Sequence, residues 1–196
     1  LNNLRDLRNQ REKLKNSVMP TKKTITPPTA GTFAPYYLRY IDLVKGDPIR
    51  LLESQILDFK ALLSEIPEEK EEFAYAVGKW TVKEVVGHII DTERIMAYRA
   101  LCFARGEKQP LPGFDEDDYT VKANFNSRSL MEIAHEFGVV REATIALFKT
   151  FSDEDLDKKG IASNNPVTPR ALLYIIAGHH IHHEAVLKER YLADVL

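Results

Sequence analysis

The chain has 196 residues, 44% hydrophobic and 29% charged, a balance that suits one globular domain with a real core. No apolar run approaches the roughly 20 residues of a membrane-spanning helix, and no apolar segment follows the charged N-terminus as a secretory signal requires. The net charge of −2 divides unevenly: residues 1–23 carry seven Lys/Arg against Asp6 and Glu12, which leaves −7 on the remainder, and an acidic body argues against nucleic acid as partner.

Residues 1–23 are basic, with Leu1, Leu4, Leu7 and Leu14 at helical spacing, and read as a solvated tail. Pro20, Pro27, Pro28 and Pro35 then break helix and favour extended chain. Together residues 1–35 read as a basic, proline-rich arm, partly disordered, ahead of a domain over 36–196. The aromatic run Tyr36–Ile41 predicts a short helix or extended piece packed on that domain. The single Cys102 excludes an intrachain disulfide and fits a reducing cytoplasm; its apolar surroundings make it a packed thiol.

Four longer helices follow. In the first, Asp47 caps and Pro48 takes the first helical position, and Ile49, Leu52, Ile56, Phe59, Leu63 and Ile66 recur at three and four. The second opens on the capping box Thr81/Glu84 and runs to about Arg105, before Gly106. The third opens on Ser129/Glu132 and continues through Ile133, Phe137, Val140, Thr144, Leu147 and Phe151; the fourth opens on Thr168 and Pro169 and ends near Leu192. No segment alternates like a strand. Four amphipathic helices predict an all-α four-helix bundle. The connection from Gly106 to Arg128 is long for a structureless loop. It suits an end-to-end crossover that makes helices two and three parallel, in up-down-down-up order.

Four of the six histidines lie in His179-His180-Ile181-His182-His183, inside the fourth helix. His179 and His183, four apart, share a helix face and can chelate one ion. Under the predicted topology helices two and four are antiparallel. At about 1.5 Å rise per residue, His88 on the inward stripe of helix two then stands at the height of His183. Neutral imidazoles bind zinc, nickel or iron, and three protein ligands leave coordination positions open for chemistry. Asp91 and Glu184 are the sequence-local candidates to orient the rings. His182 is borderline, His180 faces solvent or a neighbouring helix, and His135 lies on the surface. The chain has no HExxH, Walker loop, GxGxxG or serine elbow.

Gly78-Lys79-Trp80-Thr81, Gly87-His88 running into Asp91-Thr92-Glu93-Arg94, Leu111-Pro112-Gly113-Phe114-Asp115-Glu116, and Gly178-His179 with His182-His183 together resemble the DinB-like superfamily, over about residues 36–193. That group includes YfiT-type metal-dependent hydrolases and thiol S-transferases. The resemblance implies an up-down-down-up bundle, a divalent metal on His88, His179 and His183, and a homodimer. Some relatives use bacillithiol, mycothiol or glutathione, so a small-molecule substrate such as a low-molecular-weight thiol is implied. The acidic run from Asp115 to Asp118 then falls in the crossover, where one carboxylate could reach the site; its plainer role is a solvated turn with caps. Trp80 reads as a helix-entry anchor and Arg141 as a surface or ion-pairing residue. The expected protein is a cytoplasmic metal-dependent transferase or hydrolase that activates a thiol or water. The alternative is a non-catalytic metal-binding or dimerisation bundle, related to stress.

Overall fold

The computed structural model describes residues 24–193. A 3₁₀ turn (Pro35–Tyr37) leads into α1 (Leu38–Ile41), then α2 (Pro48–Ser64), α3 (Val82–Ala104), α4 (Glu116–Ala123), α5 (Leu130–Phe148) and α6 (Asp153–Asp157). A hairpin of β1 (Gly160–Ala162) and β2 (Asn165–Val167) precedes α7 (Pro169–Val186), which runs on as a π turn over Leu187–Tyr191. The expected caps are in place. Asp47 accepts from the Ile49 amide, reciprocal boxes close at Thr81/Glu84 and Ser129/Glu132, and Thr168 accepts from Ala171. Each occupies backbone donors that the first helical turn leaves without partners.

Side-chain pairs fix the directions. Along α2 and α5, Gln55 meets Arg141 and Phe59 meets Phe137, so these helices are antiparallel. Gln55 and Phe59 of α2 also meet Ala177 and His180 of α7 in ascending order, which makes those two parallel. Trp80 just before α3 meets Tyr191 just after α7, and His88 further along α3 meets His183 further back, so α3 and α7 are antiparallel. This is the up-down-down-up bundle that the connection lengths predict, with the crossover from α3 to α5 carrying α4.

The core forms two clusters. One, around Leu52, Phe103, Phe148 and Ile176, fills one end of the bundle; the other, around Phe59, Ile89, Ile133 and Phe137, fills the end that bears the histidines. Every residue of α7 from Pro169 to His180 is buried, because α1, α2 and α3 all pack on it.

Three local features differ from the pattern of the sequence. The β1–β2 hairpin is antiparallel, with Ile161 opposite Pro166 and a turn at Ser163-Asn164, both at positive φ; three residues per strand are too few to display alternation. In α5 the buried line passes through Arg141, Thr144, Ile145 and Phe148 rather than Val140 and Leu147. Of the arm expected over residues 1–35, residues 1–23 lie outside the described residues. Residues 24–35 pack on the bundle: the Tyr174 hydroxyl donates to the Ile25 carbonyl at 2.8 Å, and Phe33 and Ala34 are buried.

Candidate metal centre

His88, His179 and His183 converge. Their nearest ring nitrogens all lie within 4.8 Å of one another, and His88 Nε2 stands 3.0 Å from His179 Nε2. The cap at Thr81 sets the start of α3 and therefore the height of His88, while the four-residue interval on α7 stacks the other two rings. Ring centroids are 4.9 Å apart for His88–His179, 4.9 Å for His88–His183 and 4.4 Å for His179–His183.

All three imidazoles are held neutral. Burial pushes His88 down to about 4. Burial, followed by the neighbouring histidines, pushes His183 down to about 2 and His179 well below the ordinary range. Three neutral nitrogen donors with no carboxylate among them suit a borderline divalent cation. A buried imidazole cluster without such a cation leaves ring nitrogens facing one another, where at most one hydrogen bond is satisfied per contact. The donor set therefore fits zinc, nickel or iron.

Aromatic rings wall the cluster. Trp80, expected as a helix-entry anchor, lies over His88 with centroids 4.6 Å apart, and its carbonyl accepts from the Tyr191 hydroxyl at 2.9 Å. Tyr40 of α1 stands edge-on to His179 at 5.3 Å and to His182 at 5.4 Å. Gly178 permits this contact: a Cβ there would fall 1.9 Å from the Tyr40 carbonyl oxygen. The sequence gives no reason to single out Tyr40; its signal is the glycine beside His179 within an otherwise bulky helix.

The remaining candidates separate. His182 is half-buried beside Tyr40 and outside the three-nitrogen cluster. His135 is exposed, as expected. His180 faces the neighbouring helices and is fully buried between Phe59 and Phe137. Glu184 accepts from His180 Nε2 at 3.1 Å, and that bond holds its carboxyl down near 2. Asp91 pairs with Arg94. The polar partners of Glu184 and Asp91 are thus other groups than the three converging rings. Arg141 is not on the surface: it is wholly buried and forms an ion pair with Glu93.

A cavity of about 440 Å³ opens against His183, lined also by Trp80, His182, Glu116 and Tyr191. A larger hollow of about 720 Å³, beside Asp47 and Phe148, contains no histidine, so size alone does not mark the site.

A model of the DinB superfamily matches residues 51–187, which take in all three histidines. The chain belongs to the DinB superfamily. This DinB-superfamily chain is 23% identical over 127 residues to OB0413 of Oceanobacillus iheyensis, a candidate metal-dependent hydrolase, covering 64% of this chain and 73% of that protein. Its fold is similar to that of YfiT from Bacillus subtilis, a probable metal-dependent hydrolase with an unusual four-helix bundle topology (TM-score 0.64, 20% identity, 73% of this chain and 85% of YfiT). It is also similar to a mycothiol-dependent maleylpyruvate isomerase (TM-score 0.59, 11% identity, 76% of this chain and 63% of the isomerase). A DinB-like protein of Bacillus subtilis, YjoA, gives TM-score 0.52 at 20% identity, covering 75% of this chain and 90% of YjoA. At these identities the structural likeness is one of fold.

Proposed function

We propose that this chain is a metal-dependent enzyme in which His88, His179 and His183 hold one divalent ion, zinc, nickel or iron, and in which water or a small thiol is activated for hydrolysis or S-transfer. The observation that carries this reading is the meeting of three desolvated, neutral imidazoles from two helices against an open cavity. When bound, such an ion lowers the pKa of a coordinated water or thiol.

The chain's own residues do the rest. Burial keeps the three rings unprotonated, so their lone pairs are free at neutral pH. Trp80 and Tyr40 fix ring planes and exclude water from two sides. The cavity against His183 leaves the remaining side accessible, which favours catalysis over a closed, non-catalytic binding bundle. The relatives' metal-dependent hydrolase names support the metal, and the mycothiol-dependent neighbour supports a thiol. The family resemblance and the lone Cys102 further support a cytoplasmic homodimer acting on small molecules.

The test is elemental analysis of the full chain after metal loading and gel filtration. Wild type and His135→Ala are expected to retain one ion per chain, and His88→Ala, His179→Ala and His183→Ala to lose it. Full metal content in His88→Ala overturns the three-histidine site. A panel of thiols offered with a generic electrophile then separates catalysis from binding, with rate enhancement expected for the loaded protein only.

A further inference from the structure

Some of the charges on this protein form ion pairs. Lys83 bonds Glu71 and Glu72, Arg94 and Arg128 bond Glu136, and Arg170 bonds Asp157. The cavity beside His183 gathers four exposed charges that form none among the described residues. Lys79 and Arg190 line it without a carboxylate partner among the described residues, and Arg190 rests instead over the Tyr75 ring at 5.3 Å. Glu116 and Asp117, from the first turn of the crossover helix α4, line the same cavity without an ion-pair partner among the described residues. Burial and then the adjacent Asp117 push the Glu116 carboxyl up, against an opposing pull from Arg39.

Two unpaired cations and two unpaired carboxylates therefore share one cavity of about 440 Å³, within the roughly 300–1,000 Å³ of small-molecule sites. The cations come from the loop before α3 and from the π turn after α7, and the carboxylates from α4, and no ion pair joins the two sets among the described residues.

We infer that this cavity selects a small zwitterion, with its carboxylate held by Lys79 and Arg190, its ammonium by Glu116 and Asp117, and its middle laid against Trp80 and His183. A molecule carrying one charge satisfies one pole and leaves the other uncompensated, and that difference makes the selectivity. This names the substrate class of the site proposed above. It rests on that reading only for the group presented to His183, because the charged poles are independent of any metal.

The experiment is calorimetric titration of the full chain, metal-free and zinc-loaded, with 6-aminohexanoate, hexanoate and hexylamine. The ammonium and carboxylate of 6-aminohexanoate stand too far apart to chelate an ion in the way an α-amino acid does. The expected result is millimolar binding of the zwitterion in both forms, at least about tenfold tighter than either single-charge analogue. In the double variant Lys79→Met/Arg190→Met the advantage over hexylamine is expected to vanish, and in Glu116→Gln/Asp117→Asn the advantage over hexanoate. Both doubles change exposed side chains, and an unchanged thermal transition verifies their fold. Equal affinities for the three probes in wild type, no zwitterion binding up to about 10 mM, or preferences that survive in the doubles overturn the inference. Metal content reads the three-histidine proposal separately: a chain that binds no metal but prefers the zwitterion refutes that proposal alone.

Discussion

Arg141 offers the sharpest test of how the bundle is held around the site. Its guanidinium is wholly buried, with Nε 3.0 and 2.9 Å from the two Glu93 oxygens, Nη2 2.9 Å from Oε2, and Nη1 donating to Gln55. Gln55 passes the connection on by donating to the Ala177 carbonyl at 3.2 Å, two residues before His179. One polar network thus joins α2, α3, α5 and α7. Arg141→Met leaves the Glu93 carboxylate buried without its cation, a loss of about 3–5 kcal/mol. For a chain of this size that is roughly 6–20 °C in Tm. Arg141→Met/Glu93→Leu removes both charges and should recover most of the loss, since an apolar replacement of a buried pair is often neutral. Urea unfolding of wild type, both single variants and the double variant measures the coupling. An Arg141→Met loss under about 1 kcal/mol, or additive single losses, refutes the view that the pair is a desolvated unit.

Other outcomes follow from the packing at the centre. Gly178→Ala must displace the α1 backbone and is expected to cost about 1–3 kcal/mol and to weaken metal binding through Tyr40. Gly87→Ala meets the Phe125 ring first, at 2.2 Å, and should cost less because a side chain moves more easily than backbone; chelator competition and thermal unfolding compare the two, and the reverse order counts against the α1 contact. His88 has its folded pKa depressed from 6.5 to about 4, so above pH 6.5 neither state binds its proton and below it the unfolded chain binds more. Stability of the metal-free protein should therefore fall as pH drops from 6.5, by about 2 kcal/mol from His88 alone at pH 5, and stability that stays flat over that interval contradicts the buried neutral rings. Tyr40→Phe should keep metal content, whereas Tyr40→Ala should reduce metal affinity by opening one wall of His179, as chelator competition can measure.

Much of the fold was legible because local rules agree. Asp47-Pro48, Thr81/Glu84, Ser129/Glu132 and Thr168-Pro169 mark four helix starts by satisfying backbone donors nearby in sequence, and the long Gly106–Arg128 connection reveals the parallel step from α3 to α5. The three-histidine convergence was also legible, since a cap sets the height of His88 and the rise per residue carries that height to His183. The hairpin, the packed segment before residue 36 and the burial of Arg141 were not. Their conformations depend on partners far away in the chain: Arg141 reads as exposed or paired until Glu93 and Gln55 surround it. The same holds for Tyr40, which meets His179 only because Gly178 lacks a side chain, and for the charges of Lys79, Arg190, Glu116 and Asp117. Periodicity and capping act over a few residues, so the sequence by itself determined the four long helices and the shared face of His179 and His183, while the full burial of His180 came only from the helices around it. Desolvation and charge pairing depend on the whole surroundings of a group, so only the tertiary structure decided which polar groups are buried together and what the cavity presents.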